Sequence, residues 1–352
     1  MGVKENVGAR IRSAREAAGL SRRDLGHRIG VSATTIQKYE VGRAMPGSDT
    51  ILRLSKALVV PVDYFFRQRR PLSIRRAYRI HQPLSSKNEH MVEARVIEWL
   101  ERYLEAEDLL GPFAQTEFTW PTGLDRRVER ADDAERVATE LREAWGLGAE
   151  PIRDLVATLE GHGIRIGVVP QVPGFNALAF WLGKSEPVMA LADGYPGDRR
   201  RFSAAHELGH LALDLPQGLD TERLADRFAG AFLVPADAVK RELGLKRHAI
   251  WPDELYVLKH KYGLSMQGWL HRALDLGIVS RTAYDQVRRE FRERGWEKRE
   301  PGQQVFPEEP ARLRQLVLRA LAEGQVSQTR AAELLREPVA DVMLLSQPAA
   351  NP

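Results

Sequence analysis

Residues 202–214 read Phe-Ser-Ala-Ala-His-Glu-Leu-Gly-His-Leu-Ala-Leu-Asp. His206 and His210 are four apart, so on a helix their imidazoles project from one face about one turn apart. Two imidazoles so placed bind one zinc ion. Glu207 is offset around the helix and reaches a metal-bound water. Zinc lowers the pKa of that water toward about 7, and the carboxylate then takes its proton as general base. Catalytic zinc needs a third protein ligand and an open fourth position. Leu208, Leu211 and Leu213 with Ala204, Ala205 and Ala212 make this helix largely buried. Histidines and a glutamate inside a buried helix require partners.

The third ligand is available downstream. Glu222 follows His210 by twelve residues, and Asp226 lies one turn further on. Leu224, Phe228, Ala231 and Phe232 give this second helix an apolar face. Pro216-Gln-Gly permits a chain reversal, so the two helices pack side by side and Glu222 completes the shell. Asp226 accepts a hydrogen bond from a ligand histidine and fixes its tautomer. Gly209 costs helix propensity of about 1 kcal/mol relative to alanine; close approach of another backbone is a reason for it. A metal-sensing or vestigial site is the competing reading. Retention of Glu207 favours chemistry, because a structural or sensory zinc needs no general base.

Strand signals precede the first motif. Ile164 to Val169 is short, apolar and β-branched. Ala177–Leu182 and Val188–Ala192 flank Gly-Lys-Ser-Glu-Pro, which predicts a hairpin. Amphipathic helices surround these strands, from Val92 onward and again after Asp133. The middle of the chain is therefore α+β, a small sheet with helices around it. Residues 246–352 are helical and unspecific. Tyr195, His248, Tyr256 and His260 are unranked candidates for stabilising an oxyanion.

At 352 residues the chain is long enough for two or three domains. It has no cysteine, which excludes disulfides and thiolate zinc sites. It has no long apolar run and no signal-like N-terminus, so the expectation is a soluble cytoplasmic protein with no membrane partner. Charge is uneven. Residues 1–80 hold 17 Lys+Arg against 6 Asp+Glu; the rest holds 35 against 42. The first segment is thus the part suited to a polyanion.

That segment has a reader's layout. Ser21 N-caps one helix, with Asp24 at N3, and Gly30 stops it. Ser32 caps a second helix through Thr34, Thr35, Ile36, Gln37 and Lys38, with Ile36 facing the core. Such a helix enters the major groove of double-stranded DNA. Thr34, Thr35, Gln37 and Lys38, together with Arg22, are the candidate DNA contacts. Readers of this kind are often dimeric on paired half-sites, which makes a homodimer one candidate assembly, although no interface is legible.

Two family resemblances follow. Arg10-Ile11-Arg12, Gly19-Leu20-Ser21, Gly30-Val31-Ser32, Tyr39-Glu40, Gly42, Pro46 and Ala57-Leu58 resemble the Cro/C1-type (XRE) helix-turn-helix family over about residues 6–66. Gly26 departs from the usual alanine. "RRRFSAAHELGHLALD" followed by "TERLADRFAGAFLVP" resembles the ImmA/IrrE metallopeptidase family over about residues 130–240, with Val234 in place of the usual methionine. This second resemblance implies a gluzincin-like site with one zinc per chain. His206, His210 and Glu222 would be ligands, Glu207 the base and Asp226 the supporting carboxylate. It also implies that Val188–Ala192 is the strand on which substrate pairs.

The expected organisation is an all-α helix-turn-helix domain at 1–70, a linker at 71–91, and a zincin-like α+β peptidase domain at 92–245. A helical C-terminal region at 246–352 completes it. The expected function is a DNA-binding regulatory zinc metalloendopeptidase of a stress response that cleaves a repressor or an antitoxin. The alternative is a transcriptional regulator with a metal-sensing or non-catalytic peptidase-like domain. Acting mainly by binding protein, as the antitoxin-like partner of a toxin, is a third reading.

Overall fold

The structure, a computed structural model, describes residues 2–70, 72, 84–214 and 220–345. They form two compact units. One contains residues 1–105 and 169–175; the other contains 106–168 and 176–352. The Pro216-Gln-Gly reversal and most of the expected linker lie outside the described residues.

The first unit begins with four short helices: α1 (Val3–Ala17), α2 (Arg22–Ile29), α3 (Ala33–Glu40) and α4 (Ser48–Leu58). Ile11, Leu25, Ile36, Leu54 and Phe65 are fully buried at their centre. The caps are those the sequence specifies. The Ser21 hydroxyl accepts from the Asp24 amide, Ser32 accepts from the Thr35 amide, and Gly30 is left-handed at φ 71°. Gly26 has a packing reason. A Cβ there would stand 2.6 Å from the Val31 carbonyl oxygen in the turn. The glycine thus lets the turn fold tightly onto α2 and outweighs its propensity cost.

Helix α5 (Ser86–Leu110) opens inside the expected linker, six residues ahead of Val92. Asn88, Glu89 and His90 are polar, so that first turn has no apolar period to reveal it.

The second unit adds α6 (Ala131–Ala144), α7 (Leu155–Gly161), β1 (Arg165–Val169), β2 (Ala177–Leu182) and β3 (Glu186–Ala192). Then come α8 (Gly197–Ala212), α9 (Thr221–Leu233), α10 (Ala236–Leu243), α11 (Pro252–Tyr262), α12 (Met266–Asp275) and α13 (Arg281–Glu293). The chain ends with α14 (Arg312–Ala322), α15 (Gln328–Leu335) and α16 (Val339–Leu345). Residues beyond 245 do not separate as a region of their own. Leu255, Trp269, Leu270 and Tyr284 share one core with Leu208 and Phe228. The buried Lys259 ammonium pairs with Glu300 at 2.9 Å and with Asp198 of α8 at 3.2 Å.

The sheet runs β1-β3-β2. This corrects the implied docking strand: β3 is central and paired on both sides, so no peptide adds to it. Among the described residues the two edges belong to β1 and β2, and β2 is the one that meets Glu207. Its antiparallel register aligns Ala177 with Leu191, Ala179 with Met189 and Trp181 with Pro187. Just beyond, the Ala192 amide donates to the Asn176 carbonyl at 2.8 Å. Hydrogen-bonded pairs alternate in such a ladder. Leu178 and Phe180 therefore bond to β3, while Ala177, Ala179 and Trp181 turn their N–H and C=O groups to the edge.

Candidate active site

Helices α8 and α9 lie against each other at Gly209. A Cβ on Gly209 would stand 3.1 Å from Phe228 Cδ1 and 3.3 Å from Ala225 Cα. The close backbone approach proposed from the sequence is thus present. It brings one face of each helix together.

His206, His210 and Glu222 meet on those faces, with one ligand atom of each lying within 4.8 Å of the others. The two Nε2 atoms are 2.9 Å apart. Glu222 oxygens stand 3.5 Å from His206 Nε2 and 3.6 Å from His210 Nε2. His206 Nδ1 lies 2.8 Å from Asp226 Oδ1. Because a carboxylate only accepts, Nδ1–H donates and Nε2 carries a lone pair. That lone pair faces the second imidazole and a carboxylate. Burial lowers the His206 pKa, yet the Asp226 hydrogen bond and the Glu207, Asp226 and Glu222 charges together raise it above its ordinary value. Converging donors and surplus negative charge are what a divalent cation satisfies. Imidazole and carboxylate without thiolate suit zinc.

Glu207 is not part of that ligand group; it adjoins both the cluster and β2. Its carboxylate accepts the Ala179 amide that the strand turns outward. Burial pushes the Glu207 carboxyl up to about 7, against the downward pull of His206 and that amide. A carboxyl poised there both takes and returns a proton at neutral pH.

Sequence reasoning missed what holds α9 in place. Arg272 of α12 is 1% exposed. It donates to both Glu135 oxygens of α6 and to the Val234 carbonyl. Arg227 of α9 pairs with the same Glu135. An isolated arginine 38 residues past Val234 carries no signal in a single sequence. Among the oxyanion candidates, the Tyr256 hydroxyl accepts from the Gln303 amide at 3.2 Å, and its ring packs on His260. Both thus have packing roles.

Gly209→Val should push α9 off α8 and carry Glu222 and Asp226 with it. We expect metal affinity to fall about tenfold or more, read by competition with a chromogenic chelator. Unchanged affinity in a folded variant contradicts the role of this helix contact.

In the first unit, Thr34, Gln37 and Lys38 are exposed on α3, while Ile36 is buried. Thr35 is half-buried, with its hydroxyl 2.9 Å from Ser32 Oγ. Arg22 is held differently: its Nε donates to buried Glu40 at 2.7 Å, beside Arg15 on the same carboxylate. It closes α2 onto the end of α3. Lys38→Ala should weaken binding to duplex DNA and lower the log–log salt slope by about 1. Equal affinity at fixed salt would argue against α3 as the reader.

The first unit thus contains a helix-turn-helix, and the second a His-His-Glu cluster beside a small sheet. Residues 11–65 match the family model described as helix-turn-helix, and residues 161–274 match the IrrE N-terminal-like domain. The chain therefore joins an XRE-type helix-turn-helix domain to an IrrE N-terminal-like domain. An uncharacterized transcriptional regulator in the ATPase CF(0) region of Rhodospirillum rubrum is 47% identical over 64 residues, 18% of this chain and 59% of its own. An uncharacterized HTH-type transcriptional regulator of Sinorhizobium medicae is 41% identical over 61 residues, 17% of this chain and 44% of its own. The chain thus spans about half the length of these curated relatives. ComR from Streptococcus suis aligns over 98% of this chain and 96% of its own at 11% identity, with a TM-score of 0.17. Among the described residues, no helix is long and apolar enough to cross a membrane. The chain thus carries a helix-turn-helix and a domain of a peptidase family.

Proposed function

We propose that this chain is a zinc-dependent endopeptidase tethered to DNA, cleaving a transcriptional repressor or an antitoxin. The observation that carries this is the pairing of a two-histidine, one-glutamate cluster with a separate buried Glu207 at the edge of β2. His206, His210 and Glu222 would hold the ion, and Asp226 would orient His206. When bound, zinc polarises a peptide carbonyl and acidifies water near neutral pH. Glu207 accepts the proton of the attacking water and returns it to the leaving amine. The other outward groups of β2, the N–H and C=O of Ala177 and Trp181 and the C=O of Ala179, pair with an extended substrate and hold the bond in place.

A regulator that uses the cluster only to sense metal is the second reading. It has no role for a buried carboxyl that stands beside the cluster without being one of its ligands. The discriminating experiment incubates the full chain with an extract of its own cells and maps new protein N-termini by mass spectrometry. Discrete new termini in one or a few regulators, lost with a zinc chelator and restored by zinc, support cleavage. No chelator-sensitive termini, with metal bound, would leave the sensor.

A further inference from the structure

Phe118, Trp120 and Trp181 meet edge to face, with ring centroids 4.7, 5.6 and 6.3 Å apart. Phe118 is buried, whereas Trp120 and Trp181 are half-buried and leave aromatic surface to water. Together they line a pocket of about 460 Å3. That volume accepts a phenyl or indole side chain. Half-buried tryptophans gathered around an open pocket mark a binding surface more than a finished core.

Two cations stand at this pocket. Arg126 lies over the Trp120 ring at 4.7 Å. It also pairs with Asp214 and donates to the Leu211 and Ala212 carbonyls at the end of α8. Arg126 is therefore a fixed wall, braced on the helix that carries His206, Glu207 and His210. Lys184 sits exposed in the β2–β3 turn and lines the pocket. Among the described residues it has no ion-pair partner, so its charge is available to a ligand.

Position ties the pocket to the site. Trp181 follows Ala179 by two residues, on the same face of β2 and with its backbone turned to the same edge. Ala179 is the residue whose amide meets Glu207. Two strand residues span about 7 Å. An extended peptide lying along this edge, with its reacting bond beside Glu207, carries a side chain two residues away over Trp181.

We propose that this pocket is a substrate subsite for a large apolar or aromatic side chain flanked by a carboxylate. The rings bury the side chain, and Lys184 pairs with the neighbouring acid. The assignment rests on the peptidase reading, and its test separates the two.

The zinc-loaded full chain is incubated with a pool of randomised synthetic 14-residue peptides, and the cut sites are read by mass spectrometry. Aromatic and large aliphatic residues should be enriched about tenfold at one position within two residues of the cut. Asp or Glu should be enriched beside them. Trp181→Ala should lose the aromatic preference, and Lys184→Glu should replace the acidic preference with a basic one. Cleavage whose preferences survive both substitutions overturns the subsite and leaves the peptidase reading standing. The same pool is also captured on immobilised zinc-loaded Glu207→Gln chain. Selection of aromatic-acidic peptides, lost with Trp181→Ala, supports the subsite even if the wild type cuts nothing. Capture without that selection overturns it.

Discussion

Glu207→Gln is expected to lower peptide hydrolysis by about 10²–10⁴-fold, the usual contribution of a positioned general base. The amide keeps the shape of the side chain and loses its ability to take a proton. Because Glu207 is not part of the His206, His210 and Glu222 ligand group, metal content should not change. DNA binding should also be unaffected. A variant that turns over at the wild-type rate would remove Glu207 as the base. A variant that loses its metal would show that Glu207 supports the cluster instead.

Glu135→Ala is expected to cost about 3–5 kcal/mol of stability, the range for removing one partner of a buried ion pair. Arg272 then keeps its charge at 2% side-chain exposure with no carboxylate beside it among the described residues. For a unit of this size the loss corresponds to a fall in melting temperature of about 10 °C. Because Glu135 also holds Arg227 of α9, metal affinity should fall with it. The same pair gives a pH dependence. Burial raises the Glu135 carboxyl, but Arg272 and Arg227 outweigh it and hold the group below its ordinary value. A depressed folded pKa contributes stability above the unfolded value, and that contribution is lost as pH falls through the folded one. Wild type should therefore lose stability on acidification below the ordinary carboxylate range, and the variant should lose less. Thermal melts of both proteins across that range decide it. Equal melting at neutral pH would contradict the account of how α9 is anchored.

The pairing of the two imidazoles was legible because spacing along one helix decides it. Residues four apart face the same way, so His206 and His210 could be paired from sequence alone. Gly209 signalled the close approach of a second helix, and Ala225 now stands there. Caps at Ser21, Ser32 and Gly30 were legible because capping is local. Strand order was not. Both hairpin strands are apolar, and nothing in either says which one β1 will join, so the edge fell to β2 instead of β3. Arg22 was a candidate DNA contact, and its ion pair was not legible. Only the fold brings Arg22 to Glu40, 18 residues on. The gathering of Phe118, Trp120 and Trp181 depends likewise on a contact across more than 60 residues, which no periodicity encodes.

The most direct test of the central claim is the metal content of the purified full chain by inductively coupled plasma mass spectrometry, beside His206→Ala. His206 Nε2 lies at the meeting point of the cluster and its Nδ1 is fixed by Asp226. The account predicts one zinc per chain in the wild type and its loss in a folded His206→Ala variant. A wild type without bound metal after zinc is supplied, or a variant that keeps its zinc in full, would contradict it.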